Sequence, residues 1–222
     1  MTEKQAIQTR HSVRAYLNKP IEREKIDILQ ACIDECNRQS GLNFQLVLNE
    51  PKAFNSLLAR YGKFSGVSNY IAIVGKKNAD DIAVGYYGEK IVLKAQALGL
   101  NTCWVALTYK KIKNAFTINK GENLKMVISL GYGVNQGFAR KSKTPNQVSN
   151  LSESSPKWFV DGVNFALLAP TAVNQQKFFI TQKYGSVSLS AGIGFYSKVD
   201  LGIVKYHFEI GAGKENFSWS EN

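Results

Sequence analysis

Histidine is almost absent from this chain. His11 and His207 stand beside three cysteines in 222 residues. Structural and catalytic zinc sites draw three or four such ligands at close spacing, so no metal centre is expected. No Cys-His pair supplies a nucleophile with its base. An odd cysteine count argues against a disulfide framework. Cys32 and Cys36 lie four apart in a helical pattern and can share a face. They read as packed thiols, as does Cys103. Long apolar runs are missing too: nothing reaches the roughly 18–20 residues that span a bilayer. Met1–Gln5 carries no apolar signal core, which makes the cytoplasm the expected location.

Acidic residues are in deficit. Aspartate and glutamate number 17 against 28 lysines and arginines, for a net charge of +11. Such an excess permits nucleic acid, anionic membrane or phosphorylated ligands. The lysines are dispersed, however, and the densest stretch is only Arg140-Lys141-Ser142-Lys143. No run interleaves aromatic and basic residues as single-strand stacking platforms do. Neither nucleic acid nor a membrane is therefore an expected partner; a soluble surface that happens to be basic accounts for the excess, and a small phosphorylated ligand is the alternative.

What is present begins near the start of the chain. Thr9-Arg10-His11-Ser12-Val13-Arg14-Ala15-Tyr16 places two guanidiniums and a hydroxyl within five residues. A guanidinium is planar, permanently charged and matched to phosphate oxygens two at a time. Next to the start of a helix, Arg-x-Ser-x-Arg makes a phosphate clamp. The competing reading is a solvated basic surface.

Apolar spacing then sets the elements. Ile21, Ile26, Leu29 and Ile33 recur at helical intervals after Pro20. Residues 43–48 read as a strand, 53–61 as a helix, and Tyr70–Val74 as a strand closed by Gly75. Residues 80–98 form a long helix capped by Gly99. Residues 102–107 and 124–130 are strands, and 140–155 is a polar linker containing Pro145. Beyond it come a helix over 158–168, a strand over 177–182, a helical or mixed segment over 200–208, and a Gly-rich, then polar, tail over 211–222. Alternating helices and strands imply an α/β or α+β class. Two glycine clusters are turns. Gly131–Gly137 has one residue too many for a dinucleotide fingerprint, and Gly211–Glu215 has Glu215 where a P-loop needs Ser or Thr.

The chain also echoes itself. Ser40-Gly41-Leu42-Asn43-Phe44-Gln45 and Thr171-Ala172-Val173-Asn174-Gln175-Gln176 share hydroxyl, small, aliphatic, Asn, any, Gln, at an offset of 131. Asp81–Val84 with Tyr87 pairs with Asp200–Ile203 and Tyr206, at an offset of 119. Two matches in the same order point to an internal duplication with a truncated second copy.

Three motifs together resemble the nitroreductase family of FMN enzymes. They are Arg10-His11-Ser12-Val13-Arg14, Ala97-Leu98-Gly99-Leu100-Asn101-Thr102-Cys103-Trp104, and Ala169-Pro170-Thr171-Ala172-Val173-Asn174-Gln175-Gln176. The resemblance implies an α+β fold, a mixed, mostly antiparallel central sheet flanked by helices. It implies FMN held at the phosphate by Arg10, Ser12 and Arg14, with His11 as a further donor and Arg140 or Lys141 as the late basic residue. Pro170, Thr171, Ala172 and Asn174 would line the flavin ring, and Trp104, Val105 and Ala106 its opposite edge. Catalysis would be ping-pong: NADH or NADPH reduces flavin N5, and a nitroaromatic, quinone or flavin acceptor takes the electrons. No catalytic side chain is needed. The alternative is an FMN-binding protein for storage or regulation, with little turnover.

The departures carry information. The family's Pro-Ser loop falls about thirty residues after the N-terminal motif, where this chain has Gln39-Ser40-Gly41 without the proline. The intact loop lies in the second half, which has no Arg-x-Ser-x-Arg. Family members are homodimers whose sites use both subunits. This chain resembles such a dimer fused into one polypeptide, residues 1–145 and 156–222 packed as one monomeric unit with one FMN. Lys177-Phe178 stands where Pro-Trp is usual, which bears on substrate contacts.

Overall fold

The alternating periods resolve into six α-helices and seven strands in the computed structural model, which describes residues 1–220. In chain order these are α1 (Glu3–Thr9), α2 (Arg23–Ser40), β1 (Asn43–Val47), α3 (Leu57–Tyr61), β2 (Asn69–Lys76), α4 (Asp81–Ala97) and β3 (Asn101–Val105). Then follow β4 (Glu122–Gly131), α5 (Lys157–Ala166), β5 (Phe178–Lys183), β6 (Ser186–Ala191), α6 (Ser197–Ala212) and β7 (Ser218–Trp219). The class is α+β. Among the described residues no helix is long and apolar enough to cross a membrane.

The chain divides into two units. One comprises Met1, Thr9–Ala79 and Lys90–Ala139; the other comprises Thr2–Gln8, Asp80–Glu89 and what is described from Arg140 onward. The division in sequence therefore falls at Arg140, at the start of the polar stretch, and two short early segments go with the later residues.

The first unit is built on a four-stranded sheet of order β1-β2-β4-β3, every ladder antiparallel. The run Tyr70–Val74 lies in β2, buried from Asn69 through Gly75. A strand covered on both faces has no reason to alternate, which is why this segment is continuously apolar. Helix α2 buries Leu29, Ile33 and Cys36. It ends where Gly41 takes φ 67° and its N–H bonds to the Asn37 carbonyl. The Asn37 side chain then grips β1, donating to the Phe44 carbonyl at 2.9 Å and accepting its N–H at 2.7 Å. A second apolar cluster joins Val13, Tyr16, Phe54, Phe64, Tyr70, Cys103 and Val105. The helix expected over 53–61 is shorter. Pro51–Ala53 is a single 3-10 turn, and the Ser56 hydroxyl caps Ala59 N at 3.2 Å, so α-helix starts only at Leu57.

The second unit centres on α6, where twelve of sixteen residues are buried, as befits a helix covered all round. Glycines set the helix approaches. A Cβ on Gly162 would meet the Phe208 ring at 2.5 Å, and one on Gly211 would meet Phe165 Cβ at 2.6 Å. Trp158, Phe159, Phe208, Phe217 and Trp219 form one aromatic cluster. Two buried carboxylates have partners: His207 Nε2 lies 2.9 Å from Glu89 Oε1, and Glu209 takes Tyr86, Lys214 and Trp219. Strands β5, β6 and β7 form a small sheet, antiparallel between β5 and β6 and parallel between β6 and β7. Strand β6 is absent from the sequence-based expectation because SVSLSA is serine-rich. Its hairpin turns on Tyr184-Gly185, with φ of 50° and 78°, the two left-handed residues of a type I′ turn. The Gly-rich, then polar, tail supplies the end of α6 and β7; Glu221 and Asn222 lie outside the described residues.

Candidate functional site

The Arg10–Arg14 tract follows the end of α1 rather than preceding a helix, and α2 begins only at Arg23. The helix-start contribution expected from sequence is thus missing, and the tract is held by sheet-like contacts instead. Ser12 bridges Thr102, Ala15 bridges Ser65, and Tyr16 bridges Gly133. Val13 N donates to the Thr102 carbonyl at 3.0 Å, and Tyr16 N to the Ser65 carbonyl at 3.0 Å. The buried Tyr16 hydroxyl donates to the Val13 carbonyl at 2.8 Å and contacts Ser129 Oγ at 2.8 Å. Burial pushes its phenol far up, so it stays neutral.

On that frame the sequence-predicted clamp residues come together. Arg10 is only 3% exposed, whereas Arg14 is exposed and lies over the Phe64 ring at 5.9 Å. Arg10 Nη2 donates to Ser12 Oγ at 3.5 Å, and both guanidinium charges and the Ser12 hydroxyl act on the buried Cys103 thiol. Burial raises the thiol pKa, while the Arg14 charge, a hydrogen bond with Ser12 and the Arg10 charge oppose it. Two permanent cations and a hydroxyl thus share one locus, a donor set suited to a phosphate. His11 sits against Gly137, where an added Cβ would lie 2.5 Å from His11 Cβ. Gly137 has φ 80° and tolerates no side chain at that approach. The Gly131–Gly137 cluster is a turn with no helix after it.

Of the three residues expected along the ring edge, Trp104 and Val105 end β3 and Ala106 follows it. Val105 packs in the core, so it can offer a ligand only its backbone; Trp104 and Ala106 are half-buried. Cys32 is half-buried and Cys36 buried, and neither forms a disulfide; contact with Cys32 and then burial raise the Cys36 thiol.

The second unit carries the Ala169–Gln176 loop. Ala169 and Pro170 are buried behind α5, and Thr171 turns the chain into a short 3-10 segment. Its backbone is strained: Val173, Asn174 and Gln176 have φ of 44°, 56° and 46°. Its polar groups are largely engaged with neighbouring backbone. Asn174 Nδ2 donates to the Lys141 carbonyl at 2.8 Å, and Gln176 Nε2 to the same carbonyl at 3.0 Å. Lys143 gives its N–H to Gln176 Oε1 at 2.9 Å and its ammonium to the Gln176 carbonyl at 2.7 Å. Thr171 Oγ1 accepts Gln176 N at 3.0 Å. Arg140 is likewise engaged: its Nη2 donates to the Leu167 and Ala169 carbonyls at 2.9 and 2.7 Å, tying down the end of α5. Lys141 stays exposed while its carbonyl anchors the loop.

Sequence reasoning missed Asp200. Its carboxylate accepts Ala172 N at 2.9 and 3.2 Å and Gln175 Nε2 at 2.7 Å. Burial pushes its pKa up to about 6, against the hydrogen bonds from Gln175 and Ala172. Only the echo with Asp81 marked the position. A folded pKa above the ordinary 3.8 favours the protonated folded state, so the charge penalises folding above pH 6 and the penalty fades in acid. The melting temperature of the wild type relative to Asp200→Asn should therefore move in favour of the wild type between pH 7.5 and pH 5. Parallel melting curves check this; a constant difference, or the opposite trend, contradicts it.

Comparisons with known proteins agree on a family. A family model described as "Putative TM nitroreductase" matches residues 3–212. A solved structure described as a "putative nitroreductase" from Thermotoga maritima is similar with a TM-score of 0.71 at 25% identity, over 97% of this chain and 85% of its own. A "putative nitroreductase in complex with fmn" from Desulfovibrio desulfuricans scores 0.52 at 22% identity, over 70% of this chain and 99% of its own. The NfrA1 nitroreductase from B. subtilis scores 0.53 at 11% identity, over 69% and 74%. The last two share the fold. A sequence comparison with curated proteins finds no match.

Proposed function

This chain belongs to the nitroreductase family, and from that premise we propose that it is an FMN-dependent oxidoreductase driven by NADH or NADPH. The observation that carries the reading is the placing of Arg10, Ser12 and Arg14 on one short sheet-held tract, with Arg10 Nη2 3.5 Å from Ser12 Oγ. A phosphate monoester presents three oxygens and nearly two negative charges, and two guanidiniums with a hydroxyl complement them in charge and in donor geometry. The D. desulfuricans protein of the same fold is described in complex with FMN, which supports the same cofactor here.

In this reading Arg10, Ser12 and Arg14 hold the phosphate, with His11 beside them. Trp104, Val105 and Ala106 offer backbone and ring edge at the end of β3. Pro170, Thr171, Ala172 and Asn174 form the wall that meets the isoalloxazine. Arg140 serves by holding that wall, and Lys141 by anchoring it. When bound, FMN supplies two-electron transfer from the nicotinamide to a small acceptor such as a nitroaromatic, quinone or free flavin. The chain's own part is to bind, orient and exclude water; no side chain needs to titrate. The presence of one clamp and one intact loop supports one FMN per chain, a monomer, and an origin by internal duplication.

Riboflavin separates the clamp from the wall, because it has the ring without the phosphate. FMN should quench on binding, and riboflavin should bind roughly 100-fold or more weakly, the worth of two charge-assisted contacts. Equal affinity for both flavins, or no quenching by either, contradicts the proposal.

A further inference from the structure

Three residues in the stretch Val173–Gln176 hold left-handed backbone, and none is glycine. The conformation is rare for any L-residue and a genuine outlier for a β-branched valine. Such a run persists only where its surroundings over-determine it, and it marks segments held in one geometry for a purpose. One end is tied by Gln176 to Lys141 and Lys143. Nearer the other end Asp200, in the first turn of α6, accepts the Ala172 amide and the Gln175 side chain together. Asp200 is 5% exposed, and among the described residues no cation forms a salt bridge with it. Its acceptor oxygens serve the loop.

The same node reaches further. Gln175 Nε2 also donates to the Phe195 carbonyl at 2.8 Å, and Lys177 Nζ donates to the Ile193 carbonyl at 2.8 Å. The strap Gly192–Tyr196 is thereby pinned beside the loop. Its side chains point outward, Ile193 97% and Phe195 79% exposed, on a segment whose backbone is held by the Gln175 and Lys177 side chains.

We propose that Asp200 is a positioning residue: its carboxylate fixes the Thr171–Gln176 loop in the strained geometry that receives the cofactor ring, and through Gln175 it fixes the Gly192–Tyr196 strap alongside. The first half of this statement rests on the reading of that loop as the flavin-side wall. A buried carboxylate with only amide donors is a poor stabiliser of a fold. It makes sense as a rigid acceptor for donors that would otherwise let the loop relax.

The test combines amide hydrogen exchange across residues 169–177 and 192–196, measured without flavin, with FMN affinity by fluorescence quenching. Asp200→Ala should speed exchange of the Ala172 amide and its neighbours at least about tenfold and weaken FMN about tenfold, the loss expected for hydrogen bonds to a charged group. Asp200→Asn keeps one acceptor oxygen for the Ala172 amide but sets an NH2 against Gln175 Nε2, so both readouts should fall between wild type and Asp200→Ala. If Asp200→Ala does not fold, Gln175→Ala decides alone, because Gln175 is half-buried and its loss removes one donor. It should speed exchange in the loop and the strap and weaken FMN. Unchanged exchange in the deciding variant overturns the positioning role, even where wild type binds FMN. Altered exchange with no change in FMN affinity overturns the link to the cofactor. Wild-type protein that binds no FMN overturns the cofactor reading instead, and leaves the exchange result to judge the loop.

Discussion

Replacing Arg10 and Arg14 together by alanine should lower FMN affinity by at least two orders of magnitude. Each guanidinium–phosphate contact is a charge-assisted bond of about 1.5–3 kcal/mol, so losing both removes roughly 3–6 kcal/mol, or more than 100-fold in Kd. The two residues differ in how they lose it. Arg14 is exposed, so Arg14→Ala should weaken FMN with little effect on melting. Arg10 is 3% exposed, so Arg10→Ala should also disturb packing around Cys103 and Tyr16. Arg14→Lys keeps the charge but loses the paired donors and should fall between wild type and Arg14→Ala. Fluorescence titration beside a melting curve separates binding from folding. Affinity unchanged in the double variant would show that the clamp does not hold the phosphate.

Gly202→Val should be the most damaging single change in the second unit. A Cβ on Gly202 would lie 2.0 Å from the Ile82 carbonyl oxygen and 2.6 Å from Tyr86 N. The contact is reciprocal, since a Cβ on Gly85 would lie 1.9 Å from the Val199 carbonyl oxygen. The obstructing atoms are backbone, so no rotamer change relieves them; α6 and the first turns of α4 must separate. Overpacking of this kind costs about 3 kcal/mol or more, a fall in Tm of roughly 6–12 °C for a chain of this length. Asp200 lies two residues before this crossing, so the displacement should also loosen the loop it holds. Thermal melts of Gly202→Val, with Gly202→Ala as the milder step, measure the effect. A melting temperature near that of wild type would mean that the helices can spread at little cost.

Local pattern carried much of the fold. Tyr70–Val74 announced a strand, and Gly99 marked the end of the long helix α4. Where competing local bonds decide, the pattern misled. Ser56 caps Ala59 and starts α3 late, and β6 hid in a serine-rich stretch because a Tyr184-Gly185 turn, rather than apolar alternation, fixes its register. The α1 end, not a helix start, precedes the Arg10–Arg14 tract, because apolar period alone does not reveal a helix of seven residues. The candidate site divides in the same way. Arg10, Ser12 and Arg14 stood out as the proposed clamp because their types and spacing suit a phosphate. Asp200 was not, because its meaning lies in amides 25 and 28 residues away. Arg140 or Lys141 was the expected late basic residue near the phosphate; Arg140 Nη2 also donates to the carbonyls that end α5, a contact set by the path of the chain.

The most direct test of the account is an anaerobic titration of the FMN-loaded chain with NADH and, separately, NADPH, followed at the long-wavelength flavin band. The account predicts one bound flavin per chain, full bleaching by at least one nicotinamide, and return of colour on adding a quinone or nitroaromatic. A chain that retains FMN whose absorbance neither nicotinamide bleaches would contradict the oxidoreductase assignment and make the protein a flavin holder; a chain that retains no FMN would contradict the cofactor itself.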